Sequence, residues 1–513
     1  MRPPILLAAV LAMTIAGTLR AQCPDGTPPP CRVATRPAPP ATSLAVLSFS
    51  NVTRDSSTAF LASGLADAIT ARLSGVRRLS VASRAAITRM RDIDDLRMAE
   101  IGRALGVTYL VTGSLRQDGG RLAVTAELVR AATGQQVWAR QFDQPRAELL
   151  AIQGTIAQEV AAAILGSLRQ EEQELLALRP TRDPRAFELY LSTNDAMWNV
   201  DPGMVQRAIG NLENALRLDP AFTDAMGRIG YFYGWAINWN LLMPGMAPES
   251  LVSRGLAFAN RALAADSGSV EAWNGMSYLL FFRDPPDYEG ALAAGRRGIA
   301  LDSNDVNIRN IYAVILRRLG DFASAAEEYH RILAINPRHG QAVADLGFIA
   351  FTLRRYPEAR AWYDSSIVIR DAWQNQFFAA RMRLATGDTA GARRAADRAL
   401  DMVPLSSRML ALAVHAQVDA RTGDTAAART TVEPLVAALG PDGPVAIREG
   451  TEIAIALINL GDRGRALDLL ERVRPRSAWL WSYLIMPLYD PVRADPRFQR
   501  LVRESAPPGA PRM

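Results

Sequence analysis

The spacing of apolar positions changes several times after residue 42, and each change predicts a new element. Leu44–Phe49 is an almost continuously apolar run, which is typical of a buried strand. Apolar residues in Thr58–Leu73 recur every three or four positions and therefore predict a helix. A second short strand over Leu79–Ala82 is followed by a helix around Arg84–Met90. The first part of the chain thus begins as strand, helix, strand and helix.

The pattern continues with a helix over Met98–Leu105 and then turns to strands. Thr108–Leu115 and Leu122–Val129 flank an Asp-Gly-Gly sequence, which favours a tight hairpin turn. After an Ala-Thr-Gly turn, Gln136–Phe142 alternates in face and predicts the third strand of a meander. A long amphipathic helix, roughly Arg146–Leu168, closes the unit. The predicted order is βαβα followed by a three-stranded meander, which indicates a compact α+β domain.

From about Pro184 the apolar pattern repeats with a period of 34 residues. The clearest unit is Val306–His339, in which Ala325 falls where two helices must cross closely and Pro337 ends the second helix. Glycine–aspartate pairs and small alanines recur at matching offsets in other units, at Ala208, Ala215, Ala291, Ala359, Gly387-Asp388, Ala392, Gly423-Asp424, Ala428, Gly461-Asp462 and Ala466. Such repetition predicts a stack of helix pairs.

These units indicate about eight helix pairs over residues 184–475, with an inserted loop at Asn240–Ser250. Residues 476–502 are predicted to form capping helices, and 503–513 a disordered tail. The predicted fold class is therefore multidomain: a small α+β domain over 43–170, followed by an all-α superhelix.

The 34-residue units resemble tetratricopeptide repeats. The resemblance implies that the first helix of each pair lines a concave face, and that this groove takes an extended or helical peptide. Thirteen inward positions follow from this frame, and they combine aromatic, Asn and Arg side chains of the kind that protein interfaces favour. They are Tyr231, Trp235, Tyr278, Phe281, Phe282, Asn307, Asn310, Val314, Arg317, Arg318, Phe348, Phe351 and Arg381.

Two interpretations of these thirteen residues stay open. In the first, they form a peptide-binding groove, and the arginines hold carboxylates of a partner with their forked guanidinium groups. In the second, the aromatic side chains pack between helices and the arginines pair with neighbouring Asp and Glu.

The α+β unit resembles the amino-terminal domain of TolB and the flagellar FlgO family. The residues that carry the likeness are Leu44–Asn51, Leu61–Leu65, Ile101–Val107, Thr112–Leu115 and Ala132–Ala139. Members of this family often carry a kinase, cyclase or winged-helix domain before the unit and tetratricopeptide repeats after it. In this chain an apolar leader stands at the place of that domain. The resemblance says nothing about chemistry.

The leader, residues 1–21, is predicted to be a signal peptide. Arg2 precedes the uncharged apolar stretch Ile5–Ala16, and Ala21 is a small residue that favours cleavage before Gln22. The apolar stretch is too short for an ordinary membrane span, so we expect no transmembrane span in the mature chain. An uncleaved anchor is the alternative. The expected location is the periplasm or cell envelope of a bacterium.

Residues 22–42 contain seven prolines and predict an extended linker. The two cysteines of the chain, Cys23 and Cys31, lie in this segment on either side of a Pro/Gly-rich turn. In an oxidising compartment two thiols so close in sequence are expected to form a disulfide. Two unpaired thiols on a disordered tail are the alternative.

Charge and composition argue against several classes of function. The 58 basic residues are interspersed with 52 acidic ones, so the +6 charge forms no basic run of the kind that binds nucleic acid. Every basic residue is Arg, which excludes sites that need a lysine, such as the P-loop and Schiff-base sites.

The three histidines have no metal-ligand spacing with the cysteines. His330 and His339 are expected on the surface, and His415 is expected to be part-buried and hydrogen-bonded. We therefore expect no metal, no cofactor and no enzymatic activity.

The sequence as a whole predicts an exported, non-enzymatic scaffold that binds protein or peptide partners through its repeats, with the α+β domain as a docking domain. Two alternatives remain at this stage. One is a regulatory module of the kinase- or cyclase-associated type that has lost its effector domain, and the other is an envelope assembly factor.

Overall fold

The computed structural model of this protein describes residues 40–53, 59–82, 87, 97–194, 196, 202–238 and 248–510. The predicted signal peptide, the Cys23–Cys31 disulfide, most of the linker and most of the Arg84–Met90 helix lie outside these residues. So do most of the predicted inserted loop and the last three residues of the chain.

The described part begins with a mixed sheet in the strand order β3-β1-β4-β5-β6. The short strand β2 follows β1 in the chain and pairs with a later part of β4. Strand β1 is parallel to β3 and β4, whereas β4, β5 and β6 form an antiparallel meander. The strands are β1 Ser43–Val46, β2 Ser50–Asn51, β3 Ser80–Val81, β4 Tyr109–Asp118, β5 Arg121–Arg130 and β6 Gln135–Pro145. The predicted meander is therefore present, and β2 is an addition that its two residues could not reveal.

Three helices cover the two faces of this sheet. Helices α1 (Ala59–Ser74) and α3 (Leu149–Leu165) share a core with the inward residues of β4 and β5, and α2 (Met98–Leu105) packs on the opposite face. Helix α2 ends at Gly106, whose φ of 70° is the left-handed conformation that ends many helices. By length and composition α3 could cross a membrane, but one of its faces is packed in this core.

Helix α4 (Gln170–Ala177) leads from the sheet unit into the repeats, and the two parts share one continuous core. Arg146 forms a double ion pair with Glu188 on the first repeat helix, with both N–O distances 2.6 Å. Asn194 donates to Asp67 of α1 at 2.6 Å. The α+β domain thus packs directly on the helical array, so one of its faces is not free for docking.

Between residues 184 and 472 the described helices form eight antiparallel pairs. The pairs are α5 Pro184–Leu191 with α6 Pro202–Leu218, α7 Thr223–Asn238 with α8 Pro248–Ala265, α9 Val270–Phe282 with α10 Tyr288–Leu301, α11 Val306–Leu319 with α12 Phe322–Ile335, α13 Gly340–Thr352 with α14 Tyr356–Ile369, α15 Trp373–Ala385 with α16 Thr389–Met402, α17 Arg408–Thr422 with α18 Thr425–Ala438, and α19 Ile447–Asn459 with α20 Arg463–Arg472. The predicted fold class, an α+β domain followed by a superhelix of helix pairs, is confirmed.

The backbone geometry of the turns explains why a Gly-Asp pair recurs between paired helices. In Gly387-Asp388 the glycine takes a φ of 82°, which strains any residue with a Cβ, and the aspartate caps the next helix by accepting from Gly391 N at 2.9 Å. The same geometry occurs at Gly423-Asp424 and Gly461-Asp462. Short turns with fixed caps hold consecutive helices antiparallel and in register.

The sequence predicted that the C-terminal segment caps the last repeat. In the structure only part of this segment does so. Helix α22 (Pro496–Ser505) packs on α20, where Arg497 pairs with Glu471 at 2.7 Å. Helix α21 (Ala478–Leu484) instead lies inside the array against α11. Its first amide donates to the Tyr288 hydroxyl at 2.9 Å. The aromatic side chains of Trp479, Trp481 and Tyr483 are buried in this position, which removes their apolar surface from water.

Candidate ligand cavity on the concave face

The first helices of the repeats enclose a cavity of about 160 Å³. Nine of the thirteen predicted groove residues line it, and they come from α7, α9, α11 and α13: Tyr231, Trp235, Tyr278, Asn307, Asn310, Val314, Arg317, Arg318 and Phe348. The structure therefore brings most of the predicted set together around one space.

The other four predicted residues do not line this cavity. Phe282 packs edge-on against Trp479 of α21 at 5.4 Å between ring centroids, and Phe281 packs on Phe282. Phe351 contacts the Tyr356 ring. Arg381 is 2% exposed and pairs with Glu452 of α19 at 3.1 Å. These four residues follow the second interpretation, in which aromatic side chains pack between helices and an arginine pairs with a neighbouring acid.

Several lining residues were absent from the sequence prediction. They are Asn238, Ile311, His339, Gly340, Gln341, Ala344, Asp345, Arg370, Ala372, Gln374, Asn375, Phe378, Arg448 and Tyr483. Those on α13 and α15 could have been found by extending the same helical frame. Arg448 on α19 and Tyr483 on α21 could not, because they reach the cavity only after the array turns back toward its second repeat.

His339 corrects another expectation, since it is buried rather than exposed. It precedes α13, and its Nδ1 accepts from Ala342 N at 3.1 Å, so the imidazole caps this helix. A helix start needs an acceptor at this position, and no Asp, Asn, Ser or Thr is there to supply it. His330 is exposed, and part-buried His415 lies 3.1 Å from Asp419, as expected.

Arg318 is a buried charge in the cavity wall. It is 3% exposed, its Nη2 donates to Asn238 Oδ1 at 2.5 Å, and its Nη1 has no hydrogen-bond partner in the described part of the chain. Among the described residues no ion pair includes Arg318. Burial, together with the positive charges of Arg317 and Arg448, lowers the pKa of Arg318 to about 10, so the guanidinium is still charged at neutral pH.

Arg317 has the partner that Arg318 lacks. Its Nε lies 3.3 Å from Asp345 Oδ1, and its guanidinium lies over the Phe348 ring at 4.2 Å. Burial works against its charged form, but Asp345 and the nearby Tyr329 oxygen outweigh this, so the pKa of Arg317 is raised. Arg317 is therefore a neutralised part of the wall, whereas Arg318 presents net charge.

The described lining residues include four arginines, Arg317, Arg318, Arg370 and Arg448, and one carboxylate, that of Asp345. Amide side chains and aromatic rings make up much of the remaining wall. Burial raises the pKa of Tyr278 to about 12, so its hydroxyl remains a proton donor at neutral pH. The wall therefore offers many hydrogen-bond donors and a positive charge excess, which suits an anionic ligand.

In the part of the chain that the structure describes, the cavity wall contains no cysteine or serine, and its histidine caps a helix. Within the described residues, no group of three His, Cys, Asp or Glu side chains could hold a metal ion.

Two family profiles match parts of the chain. Residues 313–375, which include all of α13 and the second half of α11, match the tetratricopeptide repeat, so the expected repeat type is confirmed there. Residues 40–159 match the second domain of HilA/YgeH-like transcriptional regulators. The relation of this unit to the TolB and FlgO domains stays a prediction.

Among curated proteins, the chain is similar to "Putative adenylate cyclase 3" of Rhizobium meliloti (strain 1021), with 26% identity over 238 residues. The alignment covers 46% of this chain but only 39% of that protein. The matched part is thus well under half of the relative's length.

Solved helical-repeat proteins resemble the array more distantly. Human IFIT1, solved as a dimer with m7Gppp-AAAA, has 14% identity and a TM-score of 0.43, covering 63% of this chain and 84% of that one. Yeast Tom70 has 13% identity and a TM-score of 0.40, covering 62% and 67%. PilF of Pseudomonas aeruginosa has 15% identity and a TM-score of 0.35, covering 44% and 94%. Similarities at this level give no basis for transferring a function.

Proposed function

We propose that this chain is a non-enzymatic binding protein whose repeats hold an acidic segment of a partner protein in the arginine-lined cavity. The observation that carries the proposal is Arg318, a buried cation in the cavity wall whose Nη1 has no hydrogen-bond partner among the described residues. Burying a charge without a counter-ion is costly, and an anionic ligand would supply the counter-ion.

The shape of the cavity supports a segment rather than a whole protein surface. The helix pairs expose a row of first helices, and the C-terminal helix α21 already covers part of this row. The remaining space of about 160 Å³ suits one or two side chains of a peptide. Tyr231, Trp235 and Phe348 offer apolar contact beside the charged groups, so an acidic residue next to an apolar one is the expected feature.

Binding of labelled peptides to the full chain tests this function. A glutamate-rich peptide should bind, and an otherwise identical peptide with glutamine at those positions should not. Arg318→Gln should weaken binding by one to two decades, because a charge-assisted hydrogen bond contributes about 1.5–3 kcal/mol. Added salt should weaken binding to the parent chain more than to this variant.

Arg355→Gln is the matched control, because the Arg355 side chain is 62% exposed and does not line the cavity. It should bind the acidic peptide as the parent chain does. Equal binding of the acidic and the glutamine peptides, or an unchanged affinity in Arg318→Gln with a normal thermal melt, would contradict the proposal.

Export is part of the proposal and rests on the leader sequence. The apolar run Ile5–Ala16 and the small Ala21 support cleavage before Gln22 and delivery to the periplasm or envelope. In that setting the α+β domain would join the scaffold to envelope components. N-terminal sequencing of protein from the envelope tests this, since a chain that begins at Met1 would rule out cleavage.

The cyclase-like relative favours a second candidate, a regulatory module of the cyclase-associated type. The matched length is less than half of that protein, and this chain would then represent a regulatory part that acts on a separate effector. Protease accessibility in intact cells separates the two candidates. Digestion of the chain after the outer membrane is opened supports export, whereas protection until the inner membrane is broken supports the cytoplasmic module.

A further inference from the structure

A small side pocket adjoins the cavity on the concave face. Its volume is about 10 Å³, which is about the smallest space that holds one water molecule. Four of its eight described lining residues also line the cavity: Gln374, Phe378, Arg448 and Tyr483. The two spaces therefore share part of their walls, and a ligand in the cavity lies beside the side pocket.

The wall of the side pocket is mainly aromatic. Trp373 and Phe377 of α15 pack edge-on with 6.1 Å between ring centroids, and Phe377 packs edge-on against Phe378 at 5.2 Å. Leu410 of α17 is buried and adds aliphatic surface. A water molecule in such a space finds few hydrogen-bond partners, so an apolar group is the better occupant.

The charged residues among the described lining of the side pocket already have partners within the protein. Glu452 pairs with Arg381 at 3.1 Å and accepts from Gln417 at 3.2 Å. Arg448 donates to the Asn238 backbone oxygen at 3.0 Å. Size and apolar surface, rather than charge, therefore set the selectivity of this pocket.

Helix α21 connects the side pocket with the buried arginine of the cavity wall. The Trp479 ring centroid lies 4.9 Å from the Arg318 guanidinium, and Tyr483, one turn further along α21, lines both spaces. Four residues of a helix rise by about 6 Å. In an extended peptide, residues i and i+2 point to the same side and lie about 6.6 Å apart. A peptide with its acidic side chain at Arg318 therefore brings the side chain two positions away to the pocket.

We propose that the side pocket selects a small apolar side chain, of the size of one methyl group, two positions from the acidic residue of the bound segment. This inference rests on the proposed function, because it specifies the partner segment that the same cavity holds. The segment is extended, since an α-helix with its side chains is about 10–12 Å across and the cavity has a volume of only about 160 Å³. The expected partner sequence has an acidic residue and an alanine separated by one residue.

Binding of labelled peptides to the full chain tests the selectivity. Each peptide carries one glutamate, with glycine, alanine or leucine two positions before or after it. Alanine should bind about fourfold more tightly than glycine, because one more methyl group leaves water. Leucine should bind more weakly than alanine, because its side chain overfills a pocket of about 10 Å³. The preference should appear on one side of the glutamate, since one chain direction places a side chain at the pocket.

Leu410→Ala enlarges the side pocket and should reverse this order, so that the leucine peptide binds more tightly than the alanine peptide. Phe377→Leu removes a ring from the same wall and should act in the same direction. Leu384→Ala is the matched control. Leu384 is buried in the same core cluster but does not line the pocket, so this variant should lose stability and keep the preference for alanine.

Equal binding of the three peptides to the parent chain, or tightest binding of the leucine peptide, would overturn the inference. So would an order of binding that both Leu410→Ala and Phe377→Leu leave unchanged. The proposed function fails separately. Binding of glutamate peptides but not of glutamine peptides, without any size preference, would leave that function and remove the side pocket from it. A preference for alanine that persists when the glutamate is replaced by glutamine would keep the pocket's selectivity and remove the acidic partner.

Discussion

Arg381 shows how a single arginine on a first helix can serve stability rather than recognition. It pairs with Glu452 at 3.1 Å, both side chains are nearly inaccessible, and Gln417 Nε2 donates to the same carboxylate at 3.2 Å. Burial raises the pKa of Glu452, and Arg381 acts in the opposite direction. The pair joins the sixth repeat to the eighth across the concave face. Among the described residues, Arg318 on α11 has no such acid.

Arg381→Ala should therefore lower the free energy of unfolding by about 3–5 kcal/mol, the usual result of leaving one member of a buried ion pair without its partner. Replacing both members, Arg381→Met with Glu452→Met, should cost much less, because no buried charge is left uncompensated. Denaturant unfolding measures both. A double variant as unstable as the single one would show that the pair's hydrogen-bond network, rather than its charge, carries the stability.

At the scale of elements, the paired helices depend on small residues where their axes cross. Ala325 is fully buried near the start of α12, in a cluster with Ala313 and Leu316 of α11. A larger side chain there would push the two helices apart. Two residues further along the same helix, the Glu327 side chain is 71% exposed and lies 3.6 Å from Arg331.

Ala325→Leu should destabilise the chain by about 1–3 kcal/mol, the usual cost of overpacking a tight core. Glu327→Ala, on the exposed face of the same helix, should change stability by less than about 0.5 kcal/mol. Thermal or denaturant melts of the two variants measure the difference. Similar effects would mean that the assignment of the crossing position is wrong.

At the scale of the whole molecule, the C-terminal segment changes how the repeats depend on one another. In an open repeat array each unit contacts only its neighbours, so stability is a sum of local terms. Here α21 packs against α11, Arg354 forms a double ion pair with Asp490 at 2.6 and 2.8 Å, and Tyr489 donates to Thr451 O at 2.9 Å. These contacts connect repeats that are not neighbours in sequence.

Trp481→Ala should therefore destabilise the whole array rather than only its C-terminal end. Trp481 is 1% exposed, and truncation of a buried tryptophan typically costs about 3–5 kcal/mol. Because α21 contacts distant repeats, unfolding followed by circular dichroism and by a probe in the fourth repeat should shift together. A separate early transition confined to residues after 476 would instead describe an independent cap.

The candidate site contains features that could be predicted from the sequence and features that could not. The helical frame was sufficient to select Tyr231, Trp235, Tyr278 and Asn310, because a first helix exposes the same face in every repeat. It could not separate Arg318 from Arg381. Both stand at inward positions, and only the approach of α19 gives one of them a carboxylate and the other a second arginine.

The sequence by itself determined the helix pairs, the crossing alanines and the Gly-Asp turns, because each of these depends on residues close together in the chain. It also determined the order of β1, β3 and the three-stranded meander in the sheet domain, but not the two-residue strand β2. Only the tertiary structure decided that the sheet unit and the repeats share one core, that α21 lies on the concave face, and that Arg448 and Tyr483 complete the cavity. Those outcomes depend on contacts between segments far apart in the chain, and the small rotations accumulated over the repeats decide which of them meet at the cavity.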